Sequence, residues 1–387
     1  MLEYQGQYAS CKIFNDDVEE TAVQQVYTFL NHHAFEGCKI RIMSDIHAGS
    51  GAVIGFTSSL SSKVIPNVIG VDIGCGVCCY DLGNINIDFQ ELDTFIRSNI
   101  PFGCTIRQKQ APREITDKAF SEIKKTDKTI ANLSGDFLES VKDVARKTNQ
   151  DENYVINSLG SLGGGNHYLE INIDANTGHK YLNIHSGSRN FGLKIALFHQ
   201  NIAKIKHPFG ELSYLIEEDF ETYCRHMTVA TRYARLNREI IAQLIIKKFF
   251  KLNDITDRYE SIHNYIDFSD GIIRKGAISA KLGEKVVIPW NMRDGIILGI
   301  GKGNEDYNNS APHGAGRIMG RMAAKRNLDL EEYKQEMEGI WSSCINKDTL
   351  DESPMAYKNS EVIKALLEPT VDIIASLKPI YNFKASE

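Results

Sequence analysis

Val71-Asp72-Ile73-Gly74-Cys75-Gly76 is the stretch around which this chain is organised. It follows an apolar run, Val64 to Val71, that reads as a buried strand. Glycines flank the thiol, and a carboxylate stands three residues ahead of it. Glycine permits tight backbone and leaves no side chain in the way, so Asp72 and Cys75 can point at one spot without crowding. A carboxylate and a thiolate converging on one point suit a metal of intermediate softness. A tight turn with a packed cysteine fits the same residues, because free Cys is often simply core. The remainder of the chain has to decide between these readings.

The bulk properties narrow the field. The chain has 387 residues, 42% hydrophobic and 24% charged, which is ordinary globular composition with enough material for a large core. A formal net charge of -6 argues against a broad basic surface for polyanions, so any phosphate must be held by a metal or a local basic groove. No apolar run reaches the roughly 18 residues of a membrane span. Met1-Leu2-Glu3-Tyr4-Gln5 lacks the basic and apolar regions of a signal peptide, so a cytoplasmic location is expected. The 8 cysteines then read as thiols rather than a disulfide framework. Cys75 and Cys78 form a Cys-x-x-Cys, but no second pair at zinc-finger spacing accompanies it.

Further along, glycine loops recur beside strand-borne polar residues. Asp45 and His47 share a face where an apolar strand runs into Ala48-Gly49-Ser50-Gly51. Ser161-Leu162-Gly163-Gly164-Gly165-Asn166-His167 leads into a strand that places His167, Leu169 and Ile171 on one side and Asn166, Tyr168 and Glu170 on the other. Successive amides in such a loop can form an anion-binding nest. Tyr181 to His185 is another strand, followed by Ser186-Gly187-Ser188-Arg189. Short strands over 261–300 carry His263 and suggest an antiparallel sheet. His313 precedes Gly314-Ala315-Gly316-Arg317, which reads as a helix start with free amides and a guanidinium for phosphate.

Helices are expected over Val18–His33, several times within 84–155, and over Phe191–Ile205, Glu217–Leu252, Leu330–Trp341, Ser360–Leu367 and Val371–Leu377. The second of the long ones carries Arg232, Arg235 and Arg238 as a stripe, expected to be a solvated face unless it borders the site. Lys378 to Lys384 reads as a last strand. With no internal repeat or long linker, the simplest account is one α+β domain, 1–387. Its core is a largely antiparallel sheet, covered by a helical insertion at about 84–155.

Asp72, Cys75, His167, His185 and His263 thus form a mixed carboxylate, thiolate and imidazole set suited to a divalent transition metal. They exceed what one tetrahedral site uses, and two metals sharing the Cys75 thiolate would account for the surplus. Paired metals serve phosphoryl chemistry. His313 lies outside this set and is a candidate covalent nucleophile.

Taken in order, Val71–Gly76, Gly164-Gly165-Asn166-His167, His185-Ser186-Gly187-Ser188-Arg189, His263-Asn264 and His313-Gly314-Ala315-Gly316-Arg317 resemble the RtcB family of RNA ligases from about Ile42 onward. The resemblance implies an enzyme that joins RNA 2′,3′-cyclic phosphate or 3′-phosphate ends to 5′-hydroxyl ends, in RNA repair or tRNA splicing. It implies GTP and two Mn²⁺ as cofactors, RNA as partner, and room for an activating protein. Asp72, Cys75, His167, His185 and His263 would hold the metals, with Cys75 bridging. His313 would carry GMP as a histidine phosphoramidate, and the activated RNA 3′-end would be capped by that GMP. Asn166, Glu170, Gly314, Ala315, Gly316, Tyr357 and Lys384 would contact the nucleotide, and Arg189 and Arg317 would hold RNA or nucleotide phosphate.

Two departures stand out. Many family members have Gly-Ser-Met-Gly near Trp290-Asn291-Met292-Arg293-Asp294-Gly295, and a Cys where this chain has Pro312. They touch nucleotide choice rather than the metal set, and fit a subgroup devoted to repair. The same residues also admit a dinuclear phosphoesterase that makes no nucleotide adduct, and a metal-bound RNA-end binder without turnover. His313 separates these readings, since a hydrolase has no need of it.

Overall fold

The computed structural model describes residues 1–126, 137–253, 255 and 257–384. β1 (Leu2–Gln5), β2 (Ser10–Ile13), β3 (Lys39–His47) and β4 (Ile54–Ser59) open the chain. β5 (Gly76–Gly83), β6 (Tyr168–Ile173), β7 (Lys180–Ser186) and β8 (Arg258–Ile262) occupy its middle. β9 (Asn264–Asp267), β10 (Ile272–Lys275), β11 (Ala277–Ser279), β12 (Lys285–Pro289) and β13 (Ile296–Gly301) follow, and β14 (Ser310–Pro312) and β15 (Val371–Lys384) end it.

A six-stranded sheet has the order β1-β2-β3-β4-β10-β9, a seven-stranded sheet the order β12-β13-β15-β6-β7-β5-β8, and β11 pairs with β14. Only β2 and β3 pair in parallel among the described strands. The outer strands of the larger sheet approach each other: Val287 N–H donates to Ser261 Oγ at 2.9 Å, which curls the sheet towards closure. The α+β class with a mainly antiparallel core is as expected from the sequence.

Helices Phe89–Asn99, Arg113–Thr126, Phe137–Lys147 and Glu152–Asn157 occupy the expected helical stretch, of which 127–136 lie outside the described residues. Their apolar faces bury Leu92, Ile96, Val141 and Val144. Arg189–Lys206 and Glu217–Gln243 form a long antiparallel pair, and the second continues as a π-helical turn, Leu244–Phe249. Along Glu217–Gln243 the packing changes. Tyr223, Met227, Tyr233, Leu236 and Ile240 join the core with the six-stranded sheet, whereas Ile241 and Ala242 join the one under the seven-stranded sheet, so the last turns of this helix serve both cores from different faces. Residues 237 and 238 therefore sit where the two cores meet.

Three expectations need correction. Val64 to Val71 is not a strand. Pro66 opens a single helical turn, Pro66–Ile69, because its ring presets φ for a first helical position. Gly70, at φ +94°, ends that turn and leaves Val71 45% exposed. Val371–Leu377 is not a helix but the first half of β15. Its β-branched Val371, Ile373 and Ile374 favour extended backbone, and β13 supplies the ladder partners. The arginine stripe is not a solvated face: Arg238 is fully buried, and Arg235 pairs with Glu260 at 2.7 Å.

Candidate active site

Register brings the sequence-singled residues to one end of the seven-stranded sheet. β5 begins one residue after Cys75, and Gly76 pairs with Ser186 of β7 on one side and Ile262 of β8 on the other. Tyr168 of β6 pairs with His185 of β7. Asp72 and Cys75, His167, His185 and His263 are thus neighbours although far apart in the chain. Gly76 is required for this approach, since a Cβ there would collide with the Ser261 carbonyl. His263 separates β8 from β9, the point where the chain leaves the larger sheet for the smaller. Its backbone spans both, with N–H donating to Cys75 O at 3.0 Å and C=O accepting from Gly276 N–H at 2.6 Å.

The ring orientations favour metal ligation. His167 Nδ1 lies 2.9 Å from Leu162 O, and His185 Nδ1 lies 3.1 Å from Asn166 O. A carbonyl only accepts, so each Nδ1 donates to it and each Nε2 is the atom turned towards the thiol and available to a metal ion. Both Nε2 atoms face Cys75 Sγ, at 3.4 Å from His167 and 3.2 Å from His185. Asp72 Oδ2 lies 3.0 Å from His167 Nε2. Donor atoms of Cys75, His167 and His185 fall within 4.8 Å of one another, a set able to hold a metal ion. His263 extends the line, its ring centred 5.3 Å from that of His185.

The electrostatics agree. Burial pushes His185 and His263 well below the ordinary imidazole value, which keeps them neutral and able to ligate. Burial, reinforced by the Asp72 carboxylate, pushes the Cys75 thiol well above its ordinary value, so a thiolate here calls for a cation. Burial alone would raise Asp72, but its bonds to His167 and Cys75 bring it down to about 2.

His313 stands on the other side of His263, with ring centroids 4.8 Å apart. Its Nδ1 and its backbone nitrogen both lie on Asp45 Oδ2, at 2.6 and 3.1 Å. Asp45 is wholly buried at the end of β3. This carboxylate orients the imidazole, and among the described residues Nε2 has no hydrogen-bond partner. The expected helix start after His313 is absent. Gly314 to Gly320 are irregular, and the next helix is Arg321–Asn327. The reason is close packing on β3: Gly316 is at φ +77°, and a Cβ there would strike the Asp45 backbone.

His185, His263 and His313 line one wall of a cavity of about 510 Å³. Asn166, Glu170, Gly314, Ala315, Gly316, Arg317, Tyr357 and Lys384 line the rest, together with Trp290, Asn291 and Met292. Two carboxylates in it have opposite surroundings. Glu352 accepts from Lys384 at 2.6 Å, Tyr357 at 2.7 Å and Arg317 at 3.1 Å. Burial opposes its charge, but Lys384, Arg321 and Arg317 hold it at about 2. Among the described residues Glu170 accepts only from the amides of Asn172 and Asn382, at 2.8 and 2.6 Å, and burial pushes it up to about 7.

A family model described as tRNA-splicing ligase RtcB matches residues 28–385. The chain belongs to the RtcB family. It is 29% identical to RNA-splicing ligase RtcB of Escherichia coli (strain K12), with 89% of this chain and 90% of that protein covered. It is 28% identical to tRNA-splicing ligase RtcB of Nanoarchaeum equitans, covering 89% and 87%, and 27% identical to that of Archaeoglobus fulgidus, covering 94% and 91%.

Within this RtcB chain, Arg189 stands apart from the other expected phosphate-holding residue. Arg317 lines the cavity, whereas Arg189, at φ +58°, braces the glycine loop by donating to Ser161 Oγ and Gly103 O at 3.1 and 2.8 Å. Cys78 and Cys79 are buried thiols, as expected of packing residues. Asp45 stands out in the sequence beside His47, but its partnership with His313 follows only from the fold. Glu352 and Asn382 also belong to the cavity, and no local sequence pattern signals either. No described helix of this RtcB chain is long and apolar enough to cross a membrane.

Proposed function

We propose that this chain is an RNA ligase that joins a 2′,3′-cyclic phosphate or 3′-phosphate end to a 5′-hydroxyl end, using GTP and manganese. The observation that carries the reading is His313: an imidazole oriented by Asp45, 4.8 Å from a ring of the ligand set, on the wall of a nucleotide-sized cavity. A phosphoesterase without nucleotide transfer would need no such group.

Asp72, Cys75, His167, His185 and His263 would hold two Mn²⁺, the Cys75 thiolate being the donor central to the set. Bound there, the ions would neutralise the triphosphate and orient the departing pyrophosphate. Asn166, Glu170, Gly314, Ala315, Gly316, Tyr357 and Lys384 would contact the nucleotide, and Arg189 and Arg317 would hold RNA or nucleotide phosphate.

His313 Nε2 attacks the α-phosphorus of GTP; the N–P bond forms as the bond to pyrophosphate breaks. Asp45 holds the Nδ1 proton and balances the positive charge that develops on the ring. An oxygen of the RNA 3′-phosphate then takes the GMP, and the N–P bond breaks to restore the imidazole. A cyclic end is first opened by water. Finally the 5′-hydroxyl attacks the 3′-phosphorus, loses its proton and expels GMP. Nucleotide transfer solves a leaving-group problem, because a phosphate oxygen leaves poorly and GMP leaves well. The net charge of -6 is no obstacle, since binding is local to the metals and a few arginines.

The test is incubation with Mn²⁺ and α-labelled GTP. An acid-labile, base-stable protein adduct that disappears in His313→Ala is expected. Absence of adduct, alongside hydrolysis of the RNA 3′-phosphate, would favour the phosphoesterase instead.

A further inference from the structure

We propose that Asn237 and Arg238, neighbours on the helix Glu217–Gln243, are positioning residues for the metal ligands, tying three ligand-bearing loops to one rigid element. The inference rests on the metal-site reading above and adds residues that lie outside the ligand set.

Both side chains are fully buried. One nitrogen of Arg238, Nη1, donates to Gly74 O at 2.8 Å and to Ser186 O at 2.9 Å. Gly74 precedes Cys75, and Ser186 follows His185, so a single guanidinium nitrogen spans the two strand ends that meet at the thiol. Asn237 serves the third loop. Its Oδ1 accepts from Gly160 N–H and Ser161 N–H at 2.8 and 3.2 Å, and its Nδ2 donates to Ser161 O and Ser186 Oγ, both at 3.0 Å. Ser186 Oγ–H in turn donates to Leu162 O at 2.7 Å, the carbonyl that also receives the His167 Nδ1 proton. A continuous chain of hydrogen bonds therefore runs from Asn237 to His167. The loop also rests directly on this helix, because a Cβ on Gly74 would collide with Thr231.

The ion pairs around Glu260 separate this role from plain fold support. Arg238 also meets Glu260 at 3.1 Å, but Arg235 and Arg258 meet the same carboxylate at 2.7 and 3.3 Å. Arg258 also pairs with Glu239 at 3.0 Å. Removing Arg238 thus leaves Arg235 and Arg258 facing Glu239 and Glu260, a balanced set rather than an orphaned charge. What Arg238→Met loses without replacement is the donor shared by the two ligand loops. Groups that orient metal ligands typically govern affinity by 10- to 100-fold.

The experiment measures Mn²⁺ affinity and stoichiometry by calorimetry on the full chain, with Co²⁺ absorption as a second readout of ligand geometry. Wild type, Arg238→Met, Arg238→Lys and Asn237→Leu are compared, each checked for folding by circular dichroism. Mn²⁺ affinity should fall about 10- to 100-fold in Arg238→Met and Asn237→Leu. Arg238→Lys, which keeps the charge but reaches one carbonyl, should fall between. The Co²⁺ bands should shift in all three, a change that mere loss of stability would not cause. Folded Arg238→Met or Asn237→Leu with wild-type affinity and bands would overturn the inference. If Arg238→Met does not fold, wild-type behaviour in Arg238→Lys overturns it equally. A wild-type chain that takes up no divalent ion overturns the metal reading itself, and this inference with it.

Discussion

His313 Nδ1 and Asp45 Oδ2 are 2.6 Å apart, joining a loop after β14 to the end of β3 across 268 residues of sequence. The carboxylate accepts the Nδ1 proton and so leaves the lone pair on Nε2. Asp45→Asn offers the ring an amide in place of a carboxylate, which weakens both the tautomer preference and the stabilisation of a charged imidazole. Formation of labelled adduct at His313 should slow by about 10²-fold or more, with metal content unchanged. Quenched-flow counting of the adduct checks this.

Gly187 packs against the Asp72 carboxylate so closely that a Cβ would collide with it. The obstacle is the end of one side chain rather than backbone, so Gly187→Ala should still fold. It should push Asp72 away from His167 and lower Mn²⁺ affinity. Equilibrium dialysis against the wild type reads the change, and an unchanged metal content would contradict the placement of Asp72 in the ligand set.

Metal removal should cost stability only where the ligands are intact. An ion that binds the folded chain alone adds about 2.7 kcal/mol at one hundred times its dissociation constant. Excess chelator should therefore lower the melting temperature of the wild type by several degrees. Cys75→Ala, lacking the thiol common to both histidines, should show a much smaller shift. Differential scanning calorimetry with and without Mn²⁺ makes the comparison.

Glu170 provides a pH signature. Its carboxyl is raised from 4.5 to about 7 by burial, so the folded state holds its proton more tightly than the unfolded state. Stability from this group is complete below about pH 4.5 and is lost as pH rises through 7, for a total of about 3 kcal/mol. Glu352, held at about 2, acts in the opposite sense and only below about pH 4.5. The depressed His185 and His263 give wild type and Glu170→Gln alike a stability that rises towards about pH 6.5, so the Glu170 signature is the difference between their denaturation profiles: between pH 5 and 7 Glu170→Gln should gain on the wild type as pH rises. Equal slopes would show that Glu170 does not titrate in that range.

Much of the site was legible because its chemistry is carried by residue types at strand ends beside glycine. Asp72, Cys75, His167, His185, His263 and His313 could each be picked out, and the order of their motifs pointed to the family before any geometry was considered. The α+β class followed from strand texture over 261–300 and helical periodicity over 84–155. Local pattern failed where a non-local partner decided the outcome. Val371–Leu377 has apolar spacing compatible with a helix, and only pairing with β13 makes it a strand. Arg238 looked like one of a solvated row, and only the meeting of two cores buries it beneath the ligand loops. His313 was expected at a helix start, yet contact of Gly316 with β3 holds that segment irregular.

The sequence by itself determined which atoms are available: a thiol, a carboxylate and neutral imidazoles, each freed from crowding by adjacent glycine. Only the tertiary structure decided which of them converge. Strand register sets Cys75 between His167 and His185, backbone carbonyls choose the nitrogen that faces it, and Asp45 takes one nitrogen of His313 and leaves the other turned away. Those choices depend on ångström-scale distances between segments far apart in the chain, and local sequence patterning alone carries no measure of such distances.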